Sequence, residues 1–405
     1  MPQTTVEVAF ELTVGDTPYF RVSNPVKGRL NNTTYKVAGP IWIDVTDQVA
    51  SVSLSRGKNR ELERYSSGQA TIVLHNENRW FDPLNTSSPY AGNIIPRRAV
   101  RVTTAGVTQF TGLVEDWNLD YDVSGKSNAV MQCADAFTLL AQQSLTAGTA
   151  TPETTGARVE AVLSMPSVAW PLTQRNIDTG SANLGADVFD PADTALSYLQ
   201  LVEASEQGQL FMAKNGDVRF VNGAVSPTSS ASVARFSDAN DGVPYVSATV
   251  SYGTELLFNS VTVTAPGEQE QWDNLDSQDK YGITKTDVET LLGNQASVLA
   301  LAQFWVAKYG EPEYRFQDLE VSLDGLTASQ LTDVLAVELG DIVEIRFTPN
   351  GIGDPIERFG QVTKIDHSIG VDRHNITFGF GSLQFSYLIL DDPEFGILDQ
   401  YVLAF

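Results

Sequence analysis

The chain has 405 residues, of which 42% are apolar and 19% charged, a balance that fits two to four folded domains and argues against wholesale disorder. Asp and Glu number 50 against 26 Lys and Arg, a formal net charge of -24, so phosphate-backbone binding and docking on anionic membranes are both disfavoured. Its one cysteine, Cys133, excludes an internal disulfide framework and fits assembly in a reducing cytoplasm.

The first residues carry no basic stretch followed by an apolar one, so no signal peptide is expected. Val6, Val8, Phe10, Leu12 and Val14 alternate with polar neighbours, the period of a half-buried strand, and Gly15-Asp16 ends the run. Further strands are predicted over 41–45, 49–54, 70–74, 100–103 and 113–121, with a loop rich in Pro, Asn, Ser and Gly at 79–98. Residues 1–125 therefore read as a barrel or sandwich with an N-terminal extension.

Residues 126–240 read as an α+β middle domain. A helical stretch runs from Cys133 to Ser144, and Cys133 itself reads as a buried structural thiol. A second helix is predicted from Asp190 as N-cap with Pro191 at its first position, stopping near Gly208. Asn215-Gly216 between two apolar runs signals a hairpin.

Strands resume over 245–251, 259–265, 315–323, 342–347, 361–369 and 375–380. A polar, partly helical insertion at about 267–312 interrupts them; its window Val298–Ala307 is too short to span a bilayer and reads as a core-facing helix. Residues 241–385 are thus a second β unit with an insertion, and 386–405 a C-terminal tail.

Two internal repeats stand out. In the first, Val100 and Val102 match Val343 and Ile345, and Gly112, Val114 and Trp117 match Gly360, Val362 and Ile365. Two readings stay open at this level: a likeness common to all β-hairpins, or two related barrels in one chain. In the second, Asn24, Pro25, Gly28 and Leu30 match Asp392, Pro393, Gly396 and Leu398. Asn or Asp before Pro starts a turn, Gly supplies a positive φ and Leu offers an apolar knob, so this is either a recurrent turn or a protein–protein docking hook at each end.

No chemistry of catalysis emerges. HExxH, CxxC, phosphate-loop and GxSxG motifs are absent from the sequence. Asp238 to Val243 is short of an EF-hand loop and reads as a polar turn between domains. Asp366, His367 and Ser368 alternate faces of a strand and cannot form a relay together. The six tryptophans read as core or interface anchors rather than a sugar cleft. The expected set of catalytic residues, metals and cofactors is none.

Several stretches resemble the minor tail proteins of long-tailed phages that infect actinobacteria: GRLNNTTYKV, WIDVTDQVASVSLSRGKNRELERYSSGQATIVLHNENRWFDPLN, SPYAGNIIPRRAVRV, FTGLVEDW and LILDDPEFGILD. Within that group the chain is most similar to the tail-tip hub, related in fold to the baseplate hub of contractile tails. The resemblance implies a mainly β, multidomain α+β protein: two tube-like β-barrels flank an α+β middle domain, and a partly helical insertion splits the second barrel. It implies a homotrimer in the virion tail tip that adapts a six-fold tail tube to a three-fold tip. Its partners would be the distal tail or tail-tube protein above, other tail-tip proteins and the tape measure protein, with genomic DNA passing through unbound and no stable membrane insertion. The acidic surface then offers either a channel wall that repels DNA or simply solvated outer faces. A hexameric distal tail protein, a carbohydrate-binding receptor module and a cell-wall hydrolase are the alternatives.

Overall fold

The computed structural model describes residues 2–10, 41–223 and 232–382. In chain order the first part comprises β1 (Thr4–Ala9), β2 (Trp42–Asp44), β3 (Val49–Gly57), β4 (Ser66–His75), β5 (Ala99–Thr104), β6 (Val107–Tyr121) and β7 (Ser127–Ala134). The middle part holds α1 (Phe137–Gln142), β8 (Gly148–Ala150), β9 (Glu153–Thr154), α2 (Thr155–Leu163), β10 (Arg175–Ile177), β11 (Asn183–Leu184), β12 (Asp187–Phe189), α3 (Ala195–Ala204), β13 (Gln209–Met212) and β14 (Val218–Val221). The last part runs β15 (Arg235–Ser237), β16 (Ser247–Tyr252), β17 (Ser260–Ala265), β18 (Glu268–Asp273), α4 (Leu275–Tyr281), β19 (Lys285–Glu289) and α5 (Gln295–Tyr309). It ends with β20 (Tyr314–Ser322), α6 (Ala328–Ala336), β21 (Ile342–Phe347), β22 (Ile356–Ile369) and β23 (His374–Ser382).

The protein is mainly β, and one sheet dominates. Its strand order is β2-β1-β5-β6-β7-β4-β3-β22-β23-β20-β16, with β21 on β22 and β15 on β21. Alternation explains its two faces: Val52, Leu54 and Arg56 of β3 point inward, while Ser53 and Ser55 point out. Buried side chains form one core within the first part, a second shared by the middle and last parts, and a third in the insertion. Ile369 of β22 belongs to the first core, so the first and last parts of the described chain pack together there.

Several expectations shift. β7 pairs with β4 and β6, so the first sheet extends to residue 134 rather than stopping at 125. Cys133 lies on that strand, not on a helix; the helix starts at Phe137, whose N–H is held by the Asp135 carboxylate at 3.0 Å. Burial does hold for Cys133 and pushes its thiol pKa up. Asp190 does not cap α3. It closes a turn on Ala192 N–H (2.9 Å), and Thr194 takes the cap in a box with Ser197. The Asn215-Gly216 hairpin forms between β13 and β14 as expected.

The strands over 245–251 and 259–265 go to different sheets, because β16 joins β20 while β17 pairs with β18 and β19. The insertion therefore begins with β17, earlier than 267, and is a small α/β unit. Val298, Ala302, Trp305 and Val306 of α5 pack on Val261 and Val263 of β17. Helix α6 has no counterpart among the sequence-level expectations; Thr327 and Gln330 form its capping box. Among the described residues no helix is long and apolar enough to cross a membrane.

Candidate assembly surface

The long sheet contains one arrangement twice. In the first part the order is β3-β4-β7-β6-β5, and in the last part it is β16-β20-β23-β22-β21. The correspondence extends to single residues. Val100 stands opposite Gly112 in the β5–β6 hairpin, and Val343 stands opposite Gly360 in the β21–β22 hairpin. A bulge follows Val114 where β6 meets β7, and another follows Val362 where β22 meets β23. Bulges bend a strand and fix its register, so two at matching positions are a stronger likeness than hairpin geometry alone. The flanking strands differ: β1 runs antiparallel to β5, whereas β15 runs parallel to β21.

The two sets meet inside the chain where β3 lies antiparallel along the outer half of β22, from Lys364 opposite Gly57 to Ile369 opposite Val52. Arg56, 4% exposed, anchors this junction. Its guanidinium donates to the Met212 carbonyl at 2.8 Å and pairs with Glu338 Oε1 at 2.6 Å. Glu338 also accepts the Lys214 N–H (2.8 Å), and the Lys214 ammonium donates to the carbonyls of Leu335, Ala336 and Val337 at 2.8, 2.8 and 3.1 Å. Those carbonyls end α6, where a cation is favoured. Burial lowers the Lys214 pKa. One polar knot thus ties the first sheet, the middle hairpin and the last part.

A second clamp sits nearby. Glu61 accepts the Tyr309 hydroxyl at 3.0 Å and pairs with Lys308 (3.5 Å) and Arg315 (3.9 Å), joining the β3–β4 turn to α5 and β20. Beside the junction, between β22 and β23, His367 Nδ1 lies 3.0 Å from His374 Nε2. Burial depresses both imidazoles, His374 to about 4, so the pair is neutral at pH 7 and shares one proton in a hydrogen bond. In the middle part Glu203 is buried, which pushes its carboxyl up to about 7 against the pull of Lys58.

The side of the sheet opposite the core is polar. Cross-strand partners carry Asp116, Gln132, Thr71, Ser53, Ser368 and Asn375 in one row across both halves. The same face presents Asp120, Asp318, Glu320 and Asp366, with Lys364 paired to Asp366 at 2.7 Å. Among the strand edges without a partner in the described residues are the outer edge of β16 and the half of β6 beyond Val114. Two large exposed apolar residues, Tyr252 at 70% and Tyr121 at 54%, stand on these edges.

The docking-hook residues Asn24, Pro25, Gly28, Leu30, Asp392, Pro393, Gly396 and Leu398 lie outside the described residues. Asp366, His367 and Ser368 do alternate faces, with His367 turned into the core. No group of three or more potential metal ligands occurs among the described residues. Arg56, Lys214 and Glu338 escape the sequence reading, although Arg56 continues the inward series Val52, Leu54 and so marks a buried cation needing a carboxylate.

No protein-family model matches the chain, and no curated protein matches it in sequence. Solved structures do share its fold. A tail protein from Neisseria meningitidis MC58 superposes with a TM-score of 0.59 at 11% identity, covering 94% of this chain and 96% of the other. The 43 kDa tail protein of prophage MuSo2 from Shewanella oneidensis gives 0.57 at 13% identity, covering 94% and 97%. At such identity the likeness is one of fold along nearly the whole chain.

Proposed function

We propose that this chain is a structural, non-enzymatic component of a phage tail: a tail-tip hub of the kind its sequence resembles, in which three copies imitate six. The observation that carries this reading is the doubled strand arrangement with its matched bulges. Each five-strand set, with its covering elements, would act as one tube-like barrel, so that one chain supplies two of six equivalent positions beneath a hexameric tube. The fold shared with two tail proteins supports the setting. The Arg56 knot and the Glu61 clamp support the geometry, since a ring closes only if the angle between the halves is fixed. Tail-tube, tape measure and other tip proteins would be the partners, and the virion tail tip the location.

Native mass spectrometry of the assembled ring tests this directly. Three copies are expected; six would make the chain a distal tail protein, and the hub reading would fall.

In such a ring the polar face of the sheet would line the channel. Asp116, Asp120, Asp318, Glu320 and Asp366 would then repel passing DNA phosphates and keep the genome from sticking. Asp116→Lys with Asp120→Lys, both at exposed positions, should leave folding intact and slow DNA release from assembled particles. Release at the unmodified rate would return these carboxylates to the role of solvated surface.

A further inference from the structure

The in-chain junction has a counterpart that is left open among the described residues. Aligning the two bulges places Trp117 on Ile365, Leu119 on His367 and Tyr121 on Ile369. The other strand is fixed by following cross-strand partners. From Asp116 the row runs through Gln132 and Thr71 to Ser53. From Lys364 it runs through Gly379 and Asp318 to Thr249. Ser53 and Thr249 therefore correspond, and β16 is the equivalent of β3. In the junction β3 lies on the outer half of β22; the equivalents are β16 and the outer half of β6, two edges that have no strand partner among the described residues.

Resting on the trimeric reading above, we infer that β16 of one copy adds antiparallel to the outer half of β6 in the next copy, with Val250 opposite Leu119. The register transfers from the junction, where Leu54 faces His367 and Arg56 faces Ile365. It sets Tyr252 opposite Trp117 and Ala248 opposite Tyr121. All of these side chains then fall on the face continuous with the core, which gives the exposed Tyr252 and Tyr121 an apolar partner each. On the polar face Asp116 and Asp120 meet Gly253 and Thr249, so no like charges oppose one another. A slip by one residue would turn Leu119 toward the polar side, so the pattern specifies this register. Three junctions within chains and three between them would close one sheet around the channel, and both open edges would disappear.

The test is a disulfide trap in the full chain. Leu119→Cys with Val250→Cys puts the two introduced thiols on facing positions of neighbouring copies, and the native thiol is buried. Mild oxidation should convert most of the protein to a covalent trimer on a non-reducing gel. The offset pair Leu119→Cys with Ala248→Cys should stay largely uncross-linked. A native mass of three copies without the in-register cross-link, or with stronger linkage from the offset pair, overturns this pairing and leaves the trimer standing. A native mass of one or six copies overturns the trimeric reading and the pairing with it.

Discussion

Replacing Arg56 with Met should destabilise the protein by about 3 kcal/mol or more, because truncating one partner of a buried ion pair strands the other. The methionine keeps most of the stem that packs beside Gly68 but removes every donor. Glu338 would lose the contact at 2.6 Å and the Met212 carbonyl its contact at 2.8 Å. Met212 is buried and the Glu338 side chain is only 20% exposed, so much of the desolvation cost stays. Arg101→Met is the matched control. That residue pairs with Glu7 on the surface and is 37% exposed, so its loss should cost about 1 kcal/mol or less. Thermal unfolding of both variants beside the unmodified chain reads the difference. Hydrogen exchange adds a signature: in Arg56→Met, amides of β3, β13 and β21 should lose protection together, since the knot joins all three parts. Equal thermal midpoints for the two variants would mean that the knot does not hold the halves in place.

That knot also marks the limit of what the sequence discloses. Strands such as β3, β4 and β21 are legible because Val52, Leu54, Ile72, Val343 and Ile345 alternate with polar neighbours, and alternation is a local property. Partners are not local. Nothing in the residues of β3 names β22, more than 300 positions later, as its neighbour. Arg56 and Glu338 come together only through that pairing. Helix starts fail for a related reason: Asp190-Pro191 and Thr194 both offer caps, and the choice depends on where the Ser144–Thr194 bridge holds the chain. β7 goes unrecognised as a strand because Met131 and Cys133 run directly into the apolar start of α1, which hides the change of period. The repeated hairpin, by contrast, is correctly matched from sequence down to the bulge, since Gly112 and Gly360 hold the same place opposite Val100 and Val343 and each is crowded by the next strand. A Cβ at Gly112 would lie 2.5 Å from the Ala134 carbonyl, and one at Gly360 would lie 3.1 Å from the Phe380 ring.

Glycine also separates the two kinds of junction. Gly57 has φ at +108°, and a Cβ there would lie 2.1 Å from the Thr363 carbonyl oxygen and 2.9 Å from Lys364 Cα. Both neighbours are backbone of β22, which cannot swing aside as a side chain would. Gly57→Ala should therefore cost about 2–4 kcal/mol through strain and forced separation of β3 from β22. Gly253, its counterpart by the strand correspondence, is different: nothing lies within 4 Å of a Cβ, and its φ is outside the left-handed range. Gly253→Val should leave the thermal midpoint of the isolated chain within about 1 °C, as for most exposed substitutions within ±0.5 kcal/mol. If β16 docks on β6 of a neighbour as β3 docks on β22, the added side chain would instead press on the next copy near Asp116. Copy number and stability then come apart: Gly57→Ala unfolds early at any concentration, while Gly253→Val folds normally and stays monomeric. A Gly253→Val chain that still forms trimers would show that the contact between copies does not reproduce the one within the chain.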